Sequence, residues 1–202
     1  MSQVLVEGVR ERKRRETSER IATEAARLVA GHGLNETTVE QIAAAADVGR
    51  ATFFRYFDTK EGAVAAGFAR EWLAVIVAEL DRQPASVGPV EALRGAFRQL
   101  AKGFPAQRDL VLLQARLSRS STTLEAWTLQ LYVGFEEAIA ASLEPRFADL
   151  RRDDLRPRLL GALAMSVIRL SLDTWVANDG RGNLPTMIDR GLGAIAIAGT
   201  SR

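Results

Sequence analysis

Cysteine is absent from the 202-residue sequence, and histidine occurs once, at position 32. Without thiols the chain cannot form disulfides, thiolate nucleophiles or cysteine-ligated zinc or iron–sulfur sites. His32 stands in a helix-ending Gly-His-Gly turn, where an imidazolium suits the helix dipole. The carboxylates in Glu136-Glu137 and Asp153-Asp154 are sequence neighbours, so on a helix they point in different directions and do not pair for acid–base chemistry. The sequence therefore predicts no enzyme, no metal and no cofactor.

Long apolar runs and a strong net charge are lacking as well. The longest apolar stretch, Leu159 to Ile168, ends at Arg169 and is too short to span a membrane. The first sixteen residues lack the apolar run of a signal peptide. The formal net charge is only +2, so any attraction for nucleic acid must be local. We expect a cytoplasmic protein with no membrane association.

Aromatic residues are scarce, at 6%, whereas hydrophobic residues reach 47% with Ala and Leu dominant. That composition favours helices, and no segment alternates like a strand. An all-α fold follows. Residues 1–16 are predicted to be a flexible basic arm, because residues 10–16 read RERKRRE. The arm is either a solvated tail, or the frayed start of the first helix, or a DNA contact.

Three short helices are predicted over residues 17–60. The first ends at Gly31-His32-Gly33, and the second follows Thr38, whose spacing to Gln41 is that of a capping box. Asp47-Val48-Gly49 then forms a tight turn. The third helix runs from Arg50 to Phe57, and its two phenylalanines at i and i+4, Phe53 and Phe57, face the core.

This ordered set of residues resembles the DNA-binding domain of the TetR family of bacterial regulators. The resemblance covers about residues 17–65 and includes Thr38-Val39-Glu40-Gln41-Ile42-Ala43, Ala51-Thr52-Phe53-Phe54-Arg55-Tyr56-Phe57 and Thr59-Lys60-Glu61. The sequence departs from the family pattern at Asp47, Gly49 and Phe54, where Gly, Ser and Tyr are usual. The loss of the hydroxyl at Phe54 bears on contact strength only.

A helix-turn-helix places its second helix in the major groove, which is wide enough for an α-helix. Arg50 near the helix start suits guanine, and Thr52 suits a base edge or a thymine methyl. The resemblance implies that Thr38, Tyr56 and Lys60 contact phosphates. The predicted DNA-binding residues are Thr38, Arg50, Ala51, Thr52, Phe54, Arg55, Tyr56 and Lys60.

Residues 61–202 are predicted to form an effector-binding and dimerisation domain, as the resemblance implies. A long helix follows the N-cap Thr59, and further helices are expected at about 90–104, 106–118, 123–147, 155–178 and 185–198. The predicted effector-binding residues are Trp72, Phe97, Gln114, Arg116, Trp127, Leu131, Phe135, Met165, Arg169 and Trp175. The predicted dimer interface comprises Leu163, Val167, Leu170, Ile188, Leu192 and Ile195.

The resemblance predicts a ligand-responsive repressor, a homodimer released from a palindromic operator on double-stranded DNA by a small-molecule effector. The effector is expected to be apolar or amphipathic, an acyl-CoA or another lipophilic molecule. A helical hairpin of this kind also occurs as plain core, so the alternative is a helical adaptor or lipid-binding protein that does not bind DNA.

Overall fold

Eight α-helices make up the computed structural model, which describes residues 9–119 and 122–195. Their bounds are α1 Val9–His32, α2 Val39–Ala45, α3 Arg50–Tyr56, α4 Lys60–Asp81, α5 Pro89–Leu117, α6 Thr122–Leu143, α7 Arg156–Ala177 and α8 Leu184–Leu192. A 3₁₀ turn at Glu144–Arg146 follows α6. Within those two ranges there is no strand, and the predicted all-α class is confirmed.

The chain divides into two compact units, Met1–Arg70 and Glu71–Arg202. The division falls inside α4, later than the boundary at residue 60 that the sequence suggested. In the first unit, Ile21 and Ala25 of α1, Ile42 of α2 and Phe53 of α3 are completely buried. Gly67 brings α4 against α1, since a Cβ there would lie 2.1 Å from the Ala22 carbonyl oxygen.

Residues 9–16 form the first two turns of α1, so of the alternatives given for the arm it is the start of the first helix that these residues adopt, not a loose tail. Ion pairs at i,i+4 explain the helix: Arg12 lies 3.8 Å from Glu16, and Arg15 lies 3.5 Å from Glu19. Arg, Lys and Glu are also good helix formers. The rest of the arm, residues 1–8, lies outside the described part of the chain.

The predicted break between helices at 104 and 106 is wrong, because α5 runs through Pro105 without interruption. Proline has no N–H, so the carbonyl of Ala101 loses its helical partner. The side chain of Asn183 replaces that partner: its Nδ2 donates to the Ala101 oxygen at 2.9 Å. Asn183 also caps α8, as its Oδ1 accepts from the Thr186 N–H at 3.0 Å. The Asn183 side chain thus satisfies the carbonyl that Pro105 leaves without a helical partner in α5, and it also caps the start of α8.

Helices α6 and α7 form an antiparallel pair, and α8 packs on α5 and α7. Gly161 permits the close approach of α7 to α6, since a Cβ would lie 2.4 Å from the Glu136 carbonyl oxygen. Gly191 of α8 lies similarly close to Val167 of α7. Among the described helices α7 alone is long and apolar enough to cross a membrane, judged by length and composition only.

We expect the Asn183 bond to matter to stability because of Pro105. Asn183→Ser keeps a capping acceptor but loses the donor, so it should lower the free energy of unfolding by about 1–3 kcal/mol, the cost of an unsatisfied carbonyl. In a Pro105→Ala background the new N–H satisfies Ala101, and the same change should cost much less. Urea unfolding of the four proteins measures this coupling.

Asn178→Ser is the matched control, because Asn178 donates to the Thr174 carbonyl from an exposed position. Its cost should stay within about 0.5 kcal/mol. Equal costs of Asn183→Ser with and without Pro105 would contradict the role given to the Ala101 carbonyl.

Candidate nucleic-acid interface

Helix α2 begins with the capping box that the sequence predicts. The Thr38 hydroxyl oxygen accepts from the Gln41 N–H at 3.2 Å, and the Gln41 side-chain oxygen accepts from the Thr38 N–H at 2.9 Å. Ile42 and Ala43 of α2 are buried. Because both ends of the box are satisfied, α2 starts at a fixed residue and in a fixed direction.

The turn from α2 to α3 depends on Asp47, which has a φ of +50°. This is the left-handed conformation expected there, and a short polar side chain tolerates it better than most. Arg20 of α1 secures the turn, because its Nε donates to the Ala46 carbonyl oxygen at 2.7 Å. Gly49 is the N-cap of α3 and supplies no side-chain cap.

Helix α3 presents one face to the core and another to solvent. Phe53 is completely buried, and its ring lies 6.0 Å from that of Phe57. The helical period predicts that Ala51, Thr52 and Arg55 face outward with Arg50, Phe54 and Tyr56 at the flanks, and this is confirmed for Ala51, Arg55 and Tyr56. Arg50, Ala51, Phe54 and Arg55 are exposed, while Thr52 and Tyr56 are half-buried at the flanks.

The exposed side chains of α3 are already partnered in the free protein. Arg50 pairs with Glu40 of α2 at 2.8 Å and its guanidinium lies 5.5 Å from the centre of the Phe54 ring. Arg55 lies 5.5 Å from the Tyr56 ring. Sequence reasoning missed the Glu40 contact. Exposed ion pairs are worth about 0–1 kcal/mol, so Arg50 can exchange Glu40 for another anion at low cost.

Lys60 has a structural role that the sequence did not reveal. Its ammonium donates to the carbonyl oxygens of Leu34 and Thr37, both at 2.8 Å, and so ties the start of α4 to the loop before α2. An ammonium has three donors, so one remains for a phosphate. The phosphate contact stays a prediction, and loss of Lys60 would disturb the loop as well as the charge.

The predicted effector-binding residues fall into separate groups. Phe97, Phe135 and Met165 are buried, whereas Trp72 and Leu131 are half-buried. Arg116 is exposed and pairs with Asp179 at 3.1 Å, so its guanidinium is on the surface rather than in an interior site, contrary to prediction. Arg169 also lies near the surface, with its side chain 42% exposed. The side chain of Trp127 lies outside the described part of the chain.

Trp175 belongs to the core rather than to an open cavity. It is completely buried, its ring lies 5.6 Å from that of Phe104, and its Nε1 donates to the Gly182 carbonyl oxygen at 3.1 Å. Its only donor is used and its ring is enclosed, so Trp175 serves the core here, and an effector role for it stays a prediction.

Only some of the residues predicted for the dimer interface are exposed. Leu163 and Leu170 are exposed on α7, and Val167 is half-buried against α8. Ile188 and Leu192 were expected at the interface but are buried within the protomer, because α8 lies on α5 and α7. Ile195 is half-buried at the end of the described residues.

An exposed apolar face on α6 and α7 extends beyond the two of its residues that were predicted, Leu163 and Leu170. It consists of Leu129 and Val133 of α6 together with Leu155, Leu159, Leu163 and Leu170 in and just before α7. A groove of about 320 Å³ between the two helices is lined by Val133, Glu136, Glu137, Leu155, Arg158, Leu159 and Ala162. The signal was present in the sequence, since Leu159, Leu163 and Leu170 share a stripe at i, i+4 and i+11 that is distinct from the stripe of the buried Leu160 and Ala164.

A three-helix core, a tight turn and an exposed second helix bearing arginines together define a helix-turn-helix DNA-binding protein. Residues 21–66 match the bacterial regulatory proteins of the tetR family. Residues 87–198 match the MftR C-terminal domain. The chain belongs to the TetR family of transcriptional regulators.

Known relatives agree over most of the chain. The HTH-type transcriptional regulator TcmR of Streptomyces glaucescens is 31% identical, over 83% of this chain and 76% of that protein. MftR of Mycobacterium tuberculosis is 26% identical, over 83% of this chain and 84% of that protein. The chain also resembles the crystal structure of Thermus thermophilus FadR, a TetR-family repressor in complex with lauroyl-CoA. The two sequences are 28% identical, the match covers 92% of this chain and 98% of that chain, and the TM-score is 0.61.

Proposed function

We propose that this chain is a ligand-responsive repressor that binds a palindromic operator as a homodimer and is released by an apolar or amphipathic effector. The exposed face of α3 is the observation that carries the proposal. Its backbone is fixed by buried Phe53 and by the secured turn, while Arg50 and Arg55 stand in solvent. A rigid helix with solvent-exposed arginines, whose weak surface partners can be exchanged for bases, is what major-groove recognition requires.

In the proposed complex Arg50 leaves Glu40 and donates two hydrogen bonds to O6 and N7 of a guanine. Thr52 touches a neighbouring base, and Thr38, Tyr56 and Lys60 hold the phosphates that set the register. Two-fold symmetry of the protein requires two half-sites about 34–36 Å apart.

We expect selection from random duplexes to return a pseudo-palindrome. Arg50→Ala should cost about 1–3 kcal/mol at a guanine position and relax the preference there. Glu40→Gln should tighten binding without changing the preferred sequence, because it frees Arg50 and removes a negative charge beside the DNA. Binding isotherms at fixed salt measure both effects.

The control is Arg27→Ala, since Arg27 is an exposed arginine of the same unit that pairs with Glu24 at 2.7 Å. It should leave both the affinity and the preferred sequence unchanged. A folded wild-type protein that selects no duplex would overturn DNA reading and leave the helical adaptor.

The apolar face of α6 and α7 supports dimerisation. Six large apolar side chains there lie between 43% and 59% exposed, which is more than a soluble monomer usually leaves together. A second copy of the face would cover them, and the two helix pairs would form a four-helix bundle. We therefore place the dimer contact on α6 and α7 rather than on α8.

Leu159→Glu should convert the dimer to a folded monomer. It should also weaken operator binding, because a monomer has one DNA-binding domain and makes the contacts of only one half-site. Val75→Glu is the matched control: Val75 is 41% exposed on α4, outside the face, and its variant should remain dimeric. Leu192→Glu should instead unfold the chain, since Leu192 is buried. Light scattering and circular dichroism separate these outcomes, and a dimeric Leu159→Glu protein would contradict the interface.

An unsatisfied polar atom supports ligand binding in the second unit. The side-chain oxygen of Gln114 is buried and, within the described residues, accepts no hydrogen bond. Native proteins seldom leave such an acceptor without a partner. Tyr132 of the same unit is largely buried, so that desolvation raises the pKa of its phenol, and its ring lies 6.1 Å from that of Phe135. A ligand with an N–H or O–H donor beside an apolar group would satisfy both features.

The lauroyl-CoA complex of the 28% identical FadR structure makes an acyl-CoA thioester the first probe. Such molecules carry amide donors and a long apolar chain. Lauroyl-CoA should lower operator affinity by about 5–150-fold, and operator should lower its affinity by the same factor.

Gln114→Leu should weaken binding of the probe by about 5–150-fold, the equivalent of one to three kcal/mol for a lost buried hydrogen bond. Gln99→Leu, an exposed position on the same helix, is the control. Titration calorimetry measures both variants. Equal affinity of Gln114→Leu and wild type would contradict the assigned acceptor, and tight binding of lauroyl-CoA with unchanged operator affinity would contradict its role as effector.

A further inference from the structure

The first turns of α1 separate their charges onto two faces. One face holds Arg12, Arg15, Glu16 and Glu19, which form the i,i+4 pairs. The other face holds Arg10, Lys13 and Arg14, which we call the basic face. All three side chains are exposed, and none has an ion pair among the described residues. At 3.6 residues per turn they share one stripe with Thr17.

Two contacts orient these faces against the rest of the unit. Glu19, on the paired face, meets Arg70 of α4 at 3.0 Å. Arg20 follows Lys13 at i+7, so both lie on the same side of α1, and Arg20 meets the Ala46 carbonyl at the end of α2. The side of α1 that carries Lys13 therefore meets the end of α2, where the turn to α3 begins.

Helix geometry also fixes how far the basic face extends. Lys13 and Arg10 lie about 10 and 15 Å along the axis from Arg20, at a rise of 1.5 Å per residue. Further along α1, Ile21 and Ala25 are completely buried and anchor the helix in the core. The side chains of the basic face therefore keep a more constant direction than those of a flexible tail would. The three cations outnumber the one carboxylate beside them, Glu11 at i,i+3 from Arg14, and such an excess of positive charge is suited to a polyanion.

We propose that the basic face of α1 is a second DNA contact, which binds backbone phosphates of the duplex beside the half-site that α3 reads. This inference rests on the proposed operator binding. The contacts are electrostatic and add affinity without reading sequence. Arg12 and Arg15 take no part, because they lie on the opposite face of the helix, pointing away from this side of α1.

The test compares two double variants with the same change in charge. Lys13→Gln/Arg14→Gln removes two cations of the basic face, and Arg12→Gln/Arg15→Gln removes two paired arginines from the same turns. Glutamine preserves helix propensity, which circular dichroism verifies. Operator affinity is measured against salt concentration, with a second duplex of unrelated sequence.

For Lys13→Gln/Arg14→Gln, the slope of log affinity against log salt should fall by about 1.8 for each protomer bound, at 0.9 per phosphate contact. Affinity should fall for operator and unrelated duplex alike, while the base preference stays the same. Arg12→Gln/Arg15→Gln should keep a slope within about 0.5 of wild type.

Several results would overturn the inference. Equal slopes for the two double variants would show that only overall charge matters, and a wild-type slope for Lys13→Gln/Arg14→Gln would exclude the contact. Binding of wild type to phosphatidylserine vesicles that this variant loses, with DNA binding intact, would assign the face to a membrane instead. Failure of the wild type to bind any duplex contradicts the proposed function itself.

Discussion

Burial of Phe53 is the constraint on which the reading surface depends. A seven-residue helix has little stability of its own, so α3 exists because this ring and Phe57 pack into the core of the first unit. The same burial decides which residues face outward, because a helix that buries position 53 must expose positions 51 and 55 on its opposite side. Burial of Phe53 therefore both holds α3 rigidly and determines which of its side chains form the exposed face.

The free protein already occupies the groups that DNA would use. Glu40 holds Arg50, Gln41 holds the Thr38 hydroxyl, and two carbonyls hold the Lys60 ammonium. These contacts differ in how easily they exchange. The Arg50 pair is exposed and weak, whereas Lys60 joins two segments of backbone and is worth more where it is. Base reading can thus begin by exchange of one surface partner, while the loop that carries α2 stays fixed.

Local rules predicted the first unit well because its geometry is set by short-range interactions. The capping box at Thr38, the left-handed turn at Asp47 and the inward face of α3 all follow from residues within a few positions. The failures concern long-range partners. Pro105 reads as a helix end until Asn183, 78 positions later, is seen to satisfy Ala101. Ile188 and Leu192 were predicted at the dimer interface but are buried within the protomer, because sequence periodicity shows that a helix face is apolar without showing what covers it.

Helix α7 shows why such assignments need the third dimension. Its apolar residues form two separate stripes: Leu160, Ala164 and Trp175 are buried in the protomer, while Leu159, Leu163 and Leu170 are exposed. One stripe alone would make an ordinary amphipathic surface helix, and two make a helix whose composition resembles a membrane span. Because the first stripe is covered by the fold, only the second is left for another molecule. A second copy of the chain offers the same stripe in return, so a symmetric contact covers both at once.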